Sequence, residues 1–326
     1  MRIHLQSHRN PSNFPLTQAV WDAAAAHAPD VAGGHSLSFG EDEAAFAEGM
    51  RDAEALIAQP AGLLAWGLPP SPKLKLIYLT SAGLEKLAPF AWLPPGVPLL
   101  NNRGAHAVKA GEFGLMALLV LVNHLPALVT AQHEGRWEPR HGSALAGHRV
   151  VVVGLGALGG TTAQHAAQFG MRVTGVRTRA EPHPACERVV AVAELDSVLP
   201  EAEIVFLATP LTDATKGLLS RERIALLPRG AGVANIGRGG LVDQDAVLDA
   251  LDSGHLGGAV LDVFTPEPIP PGHRLWTTRN LIITPHTSAD DPNTYNLRSL
   301  EIFLDNLRAF RDGKELPNRY DIARGY

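Results

Sequence analysis

The chain of 326 residues contains a single cysteine, Cys186. One thiol cannot close an internal disulfide, which excludes a disulfide-stapled scaffold and leads us to expect a reducing, cytoplasmic setting. Charge of one sign is also scarce, since 28 Lys and Arg against 33 Asp and Glu leave a formal net charge of −5. That balance offers no electrostatic footprint for nucleic acid or an anionic membrane surface, and neither is expected as a partner. The opening residues, Met1–Asn13, lack the apolar core that a secretory signal requires. Only Phe113–Gln132 approaches the length of a membrane span without a formal charge. Asn123, His124 and Pro126 interrupt it, and Glu112, Glu134 and Arg136 flank it, so it reads as a helix buried in a core or an interface. There is no internal repeat, no low-complexity tract and no motif that calls for a metal. What remains is an ordinary globular composition, 45% apolar and 19% charged, at a length that suits about two domains.

The most informative stretch is His148–Gly175. It opens with the β-branched run Val150–Val153, the composition of a fully buried parallel strand. Gly154, Gly156 and Gly159 follow at the spacing G-x-G-x-x-G, with Ala157 and Leu158 between them. A helical pattern then runs through Ala163, Ala166 and Phe169 to Gly170, and a second strand covers Arg172–Val176. Strand, glycine turn and helix in this order form the context in which a pyrophosphate is bound, with the helix N-terminus supplying donors. An NAD site would place an acid about 20 residues beyond the glycines, on the ribose hydroxyls. This chain has Arg177, Thr178 and Arg179 there, and the next acid is Glu181. A planar guanidinium suits the extra 2′-phosphate of NADP, so NADP is the expected cofactor, with NAD possible as a second.

Before this stretch, residues 1–101 read as a smaller α/β unit. Strands are expected at Ile3–Leu5, Ala55–Ile57, Leu63–Ala65, Leu76–Thr80 and Val97–Leu100, with helices at Leu16–His27 and Asp42–Arg51. A long apolar helix is expected from Ala107 into Trp137. After the glycine motif the alternation becomes regular, with strands at Arg149–Val153, Arg172–Val176, Ile204–Ala208, Gly232–Ile236, Ala259–Val263 and Leu281–Thr284. These six match a doubly wound parallel sheet. A last helical pattern covers Asn293–Gly313.

Three residues follow strand ends in this second region: Arg238 in Asn235–Gly240, Glu267 after Leu261–Pro266, and His286 in Thr284-Pro285-His286. Each alone has an ordinary explanation as a surface arginine, a turn carboxylate or a loop histidine. Together, at the carboxyl edge of one sheet, they supply an anion anchor, a proton donor and a partner for that donor.

These segments, with Leu211–Leu218 (LTDATKGL), resemble in order and spacing the D-isomer-specific 2-hydroxyacid dehydrogenases over roughly residues 75–290. Within that family the resemblance is closest to the glyoxylate/hydroxypyruvate reductases, on Leu64-Ala65-Trp66, Pro69-Pro70 and Arg177–Arg179. It implies a Rossmann cofactor domain, 102–289, inserted into a smaller flavodoxin-like substrate domain made of 1–101 and 290–326. It implies that Arg238 binds the carboxylate of a 2-oxo acid and polarises its keto oxygen. His286 would donate the proton to that oxygen, and Glu267 would hold the imidazole and favour its charged form. Ser81, Ala82 and Gly83 match the family's substrate-carboxylate loop, with Trp66 nearby on the substrate side. Thr209, Pro210 and Thr215 fall on a loop passing the adenosine ribose, Ile236 and Gly237 line the cofactor, and Asp262 lies where the nicotinamide carboxamide is held. The implied activity is NADPH-preferring reduction of small 2-oxo acids to D-2-hydroxy acids, in a homodimer joined through the cofactor domains. The alternative is a cofactor-sensing regulatory protein of the same fold.

Overall fold

The structure is a computed structural model that describes residues 1–9 and 15–325. In chain order the first elements are β1 (Arg2–Gln6), α1 (Gln18–His27), α2 (Pro29–Ala32), β2 (Ser36–Gly40), α3 (Glu43–Met50), β3 (Ala55–Ala58), α4 (Pro60–Trp66), β4 (Leu76–Leu79) and β5 (Leu99–Leu100). There follow α5 (Ala107–Val122), α6 (Leu125–His133), β6 (Arg149–Val153), α7 (Ala157–Gln168), β7 (Arg172–Arg177), β8 (Arg188–Ala191), α8 (Leu195–Val198) and β9 (Ile204–Leu207). The rest is α9 (Arg221–Leu226), β10 (Ala231–Asn235), α10 (Gln244–Asp252), β11 (Leu256–Leu261), β12 (Leu281–Ile283) and α11 (Tyr295–Arg311). The chain divides into two compact units, Met1–Ala105 with Asp291–Tyr326, and His106–Asp290. The second is inserted in the first.

The discontinuous unit is built on a parallel sheet of order β2-β1-β3-β4-β5, the flavodoxin-like doubly wound arrangement. Its central strands are buried along their whole length because helices cover both faces. One face packs Ile3, Leu5, Ile57 and Tyr78 against Trp21 of α1 and Phe303 and Leu304 of α11. The other packs Leu56, Ile77 and Leu79 against Phe46 and Met50 of α3 and Leu63 of α4. Two sequence expectations fail in this unit. Leu63–Ala65 is not a strand but the end of α4, where Pro60 occupies the first turn with its fixed φ and its missing N–H costs nothing. Strand β2 was not expected, because its run Ser-Leu-Ser-Phe-Gly is largely exposed at the sheet edge and gives little apolar signal.

The inserted unit carries an all-parallel sheet of order β12-β11-β10-β9-β6-β7-β8. Strand order reverses between β6 and β9, which opens a crevice beyond their carboxyl ends. The expected six strands are seven. The added β8 pairs only with β7 and is half exposed, which hid it in the sequence. The apolar helix expected to reach Trp137 instead stops at Val122. His124 adopts φ 53°, Pro126 sits in the first turn of α6, and the two helices meet at 65°. Among the described residues no single helix is long and apolar enough to cross a membrane. Helix α5 buries Phe113, Leu118 and Leu121 against the sheet. It approaches α7 closely at two glycines, since a Cβ on Gly111 would lie 2.4 Å from Thr161 Cγ2 and one on Gly114 2.2 Å from Thr162 Oγ1.

Candidate functional site

The glycine turn joins the carboxyl end of β6 to α7, and two of its three glycines, Gly154 and Gly159, answer steric demands of the fold. Gly154 has φ 94°, which an L side chain rarely adopts, and its missing Cβ would meet Ala208 O at 2.8 Å. Gly159 lies against the turn itself, where a Cβ would stand 1.9 Å from Gly154 O. Gly156 differs: it caps α7 in an extended conformation, and a Cβ there would meet nothing within 4 Å. No side chain caps the helix, so the donors of its first turn, around Ala157 and Leu158, are not met by one. A cradle with open space over Gly156 and an uncapped helix start fits a pyrophosphate.

Arg177 ends β7 and is paired with Glu181, Nη2 to Oε2 3.4 Å, while Thr178 and Arg179 are exposed beyond it. Half-buried Cys186 packs near Gly175 and Leu155 on the same side of the sheet, and burial pushes its thiol up to about 11. After β9, the Thr215 hydroxyl is committed to its own loop, donating to Pro210 O at 2.7 Å and accepting from Thr212 N at 2.8 Å. Thr209 abuts Gly237 in the turn after β10, where a Cβ would meet Thr209 O at 2.8 Å. Ile236 beside it is buried in the core. These residues therefore line adjacent strand ends around the crevice.

At the other end of the same sheet edge, the His286 Nδ1–H donates to Glu267 Oε2 at 2.8 Å. The carboxylate can only accept, so the ring proton sits on Nδ1, and Nε2 on the opposite side of the ring is the atom left for chemistry. The other Glu267 oxygen accepts from Phe264 N at 2.8 Å, which fixes the carboxylate. Gln244 pins the neighbouring Thr265 backbone from both sides, with Nε2 on its carbonyl and Oε1 on its N–H, each at 3.2 Å. His286 has φ 55°, a left-handed conformation that costs an L residue about 1–2 kcal/mol and persists only where surrounding bonds hold it. Its side chain is 49% exposed and can be reached. Arg238 is half-buried and extended after a turn fastened by Asn235, whose side chain accepts from Gly237 N at 3.0 Å and donates to Arg238 O at 2.9 Å. Asp262 is completely buried, and both its oxygens accept donors from residues 284–288.

In the discontinuous unit, Ser81-Ala82-Gly83 follows β4. The three carbonyls of this turn are tied down: Asn102 N donates to Ser81 O, Asn101 Nδ2 to Ala82 O and Ser81 Oγ to Gly83 O, at 2.8–2.9 Å. These bonds fix the turn directly beyond the carboxyl end of β4. Trp66 is half-buried against His8 and Phe46. Sequence reasoning treated Asn101 and Asn102 only as a boundary. Two side-chain amides directly after a strand were the available signal. Asn235 was missed as well, although an Asn bonding the backbone two and three residues on is a local turn signal. Gln244 was missed because nothing local marks an amide that fastens a remote backbone.

The family model for the NAD-binding domain of D-isomer specific 2-hydroxyacid dehydrogenases matches residues 115–288. The D-3-phosphoglycerate dehydrogenase of Mycobacterium tuberculosis is 30% identical over 277 residues, 84% of this chain and 52% of that protein. The chain thus spans about half the length of the curated relatives it matches. A D-isomer specific 2-hydroxyacid dehydrogenase from Xanthobacter autotrophicus Py2, solved in complex with NADPH and MES, is 29% identical and superposes with a TM-score of 0.82 over 99% of both chains. An NADPH-dependent glyoxylate/hydroxypyruvate reductase from Sinorhizobium meliloti, solved with NADP and sulfate, shares the fold at 24% identity, TM-score 0.79, over 100% of both chains. With more than half of its length matched by the family model, this chain belongs to the D-isomer-specific 2-hydroxyacid dehydrogenase family.

Proposed function

We propose that this chain is an NADPH-preferring oxidoreductase that reduces small 2-oxo acids, of the glyoxylate or hydroxypyruvate kind, to D-2-hydroxy acids. The observation that carries the reading is the 2.8 Å bond from His286 to an anchored Glu267, on the same sheet edge as a glycine turn with open space over Gly156. The nicotinamide cofactor, when bound, supplies the hydride. Gly154, Gly156, Ala157, Leu158 and Gly159 would hold its pyrophosphate, and Arg177 with Thr178 and Arg179 its 2′-phosphate. The His286 Nε2 proton goes to the keto oxygen in reduction and returns to Nε2 in oxidation. Glu267 keeps the imidazole oriented, with Nε2 directed away from the pair. Arg238 holds the substrate carboxylate and stabilises the charge developing on the oxygen. The amides of Ser81, Ala82 and Gly83 suit the same class of ligand, a carboxylate.

The test is a panel of 2-oxo acids assayed with NADPH and NADH, together with His286→Ala. Loss of the general acid should lower kcat by ~10²–10⁴-fold while cofactor binding is retained. Near-normal turnover in that variant, or no turnover of any 2-oxo acid by the wild type, sinks the reading. We also infer a homodimer through the inserted units. Supporting it, Met116 and Leu119 on α5, Leu125 on α6 and Trp137 beyond them are exposed, Trp137 at 98%. Light scattering that gives a monomer would refute it.

A further inference from the structure

We propose that Asp262 is a positioning residue: its buried carboxylate gathers the donors of the turn 284–288 and so holds His286 in the conformation that meets Glu267. This rests on the reading of His286 as the proton donor. Asp262 directly follows β11 and is 0% exposed. Its Oδ1 accepts from Thr284 Oγ1 at 2.5 Å and from Thr287 N at 2.9 Å, and its Oδ2 accepts from Ser288 N at 3.1 Å. Its own carbonyl accepts from His286 N at 2.9 Å. The backbone N–H groups of His286, Thr287 and Ser288 therefore all reach residue 262, that of His286 shared with Thr284 O at 3.0 Å, and Pro285 has none to offer. A run of amides wrapped around one anion is a nest, with the anion supplied from inside the protein. The conformation it secures is the unfavourable one, since His286 lies at φ 55°. A residue there relaxes unless its neighbours over-determine it, and relaxation would swing the imidazole off Glu267. These three donors all come from the turn 284–288 itself, so the turn is tied to the carboxylate by the protein's own bonds.

The experiment uses the full chain and compares Thr284→Val, Thr284→Ser and Asp262→Asn with wild type. Valine keeps the volume of Thr284 and removes one donor, and serine restores that donor. Asparagine turns an NH₂ toward at least one backbone N–H. Misplacement of a reacting group by about 1 Å can cost ~10²-fold, so Asp262→Asn should lose roughly that much kcat. Thr284→Val should lose a smaller part, about tenfold, and Thr284→Ser should recover it. In the Thr284 variants KM for the 2-oxo acid and the NADPH Kd should stay within about threefold, because that change acts on geometry and not on binding. Independently of activity, the low-field NMR signal of the His286 Nδ1–H bonded to Glu267 should broaden or disappear in Asp262→Asn and Thr284→Val. Unchanged kcat with an unchanged signal in both variants overturns the proposal, as does a loss confined to NADPH affinity, which would make Asp262 a cofactor ligand. If Asp262→Asn does not fold, the Thr284 pair decides by the same measures. Failure of the functional reading looks different: His286→Ala then turns over like the wild type, whatever residue 262 does.

Discussion

Gly156 and Gly159 belong to the same motif but should fail in different ways when each becomes alanine. At Gly159 the added methyl would stand 1.9 Å from Gly154 O, where ordinary contact begins near 3.4 Å. The turn and the first coil of α7 must therefore part by about 1.5 Å, and both are backbone. Overpacking of this kind costs ~1–3 kcal/mol. In a unit of this size each kcal/mol lowers Tm by about 2–4 °C, so Gly159→Ala should melt roughly 2–12 °C lower. At Gly156 the methyl meets nothing within 4 Å, and φ −76° is open to alanine. A gain of about 0.4–1 kcal/mol from the unfolded chain offsets the poorer helix cap, and Tm should hardly move. The space it fills is the space proposed for the pyrophosphate. Losing one charge-assisted bond there costs ~1.5–3 kcal/mol, which is about 10–100-fold in Kd. NADPH titration by fluorescence and thermal melting on the same two variants separate the effects. A Gly156→Ala protein that binds NADPH as tightly as wild type, or that melts as low as Gly159→Ala, refutes the assignment of the cradle.

Arg177→Ala should weaken NADPH about tenfold while leaving NADH within about twofold, and equal losses for both would remove the phosphate role. Glu181→Gln should tighten NADPH by no more than about fivefold, since the 3.4 Å pair it breaks is exposed and such pairs are worth ~0.2–1 kcal/mol. With its thiol raised to about 11 by burial, Cys186 should resist Ellman's reagent at neutral pH and react only on unfolding. Reaction of native protein at the rate of a free thiol would contradict the packing. Buried His4, held below the usual histidine range chiefly by desolvation, takes up a proton less readily in the folded unit than in the unfolded chain. Its contribution is therefore complete above the unfolded value of about 6.5 and is lost as pH falls below it and through the lower value of the folded state. Melting scans from pH 8 to 5 should show a decline that is shallower in His4→Gln, and parallel curves would exclude this origin.

The sequence was most legible where one element makes its own steric or hydrophobic demand. The run Val150–Val153 has the composition of a strand buried on both faces, and Gly154, Gly156 and Gly159 could be assigned to a strand–helix turn without knowing anything remote. It was least legible where the demand arrives from elsewhere in the chain. Leu63–Ala65 has a strand-like composition, yet Pro60 and the packing of Leu63 on the sheet make it a helix. Strands β2 and β8 lie at sheet edges, where exposure dilutes the apolar pattern. Gly111 and Gly114 look like flaws in a helix until α7 is placed against them, when they become the reason the two helices can touch.

The same distinction governs the candidate site. Arg238, Glu267 and His286, each ordinary alone, could be picked out as a set at strand ends and by the resemblance of their segments, but the residues that join them carry no chemistry of their own. Gly239, next to Arg238, is crossed by the Phe264 backbone so closely that a Cβ would lie 2.1 Å from Phe264 O. The N–H of that same Phe264 anchors Glu267, and Glu267 holds His286. Asn235 fastens the Arg238 turn with its side chain and accepts Asp262 N with its carbonyl, and Asp262 in turn holds the loop of His286. Arg238 and His286 are thus connected by two routes, one through a backbone contact and one through hydrogen bonds. Segments 235–243, 261–268 and 284–288 behave as one polar unit. The conformation of His286 is thus tied, through Asp262, to the turn that Asn235 fastens far earlier in the chain.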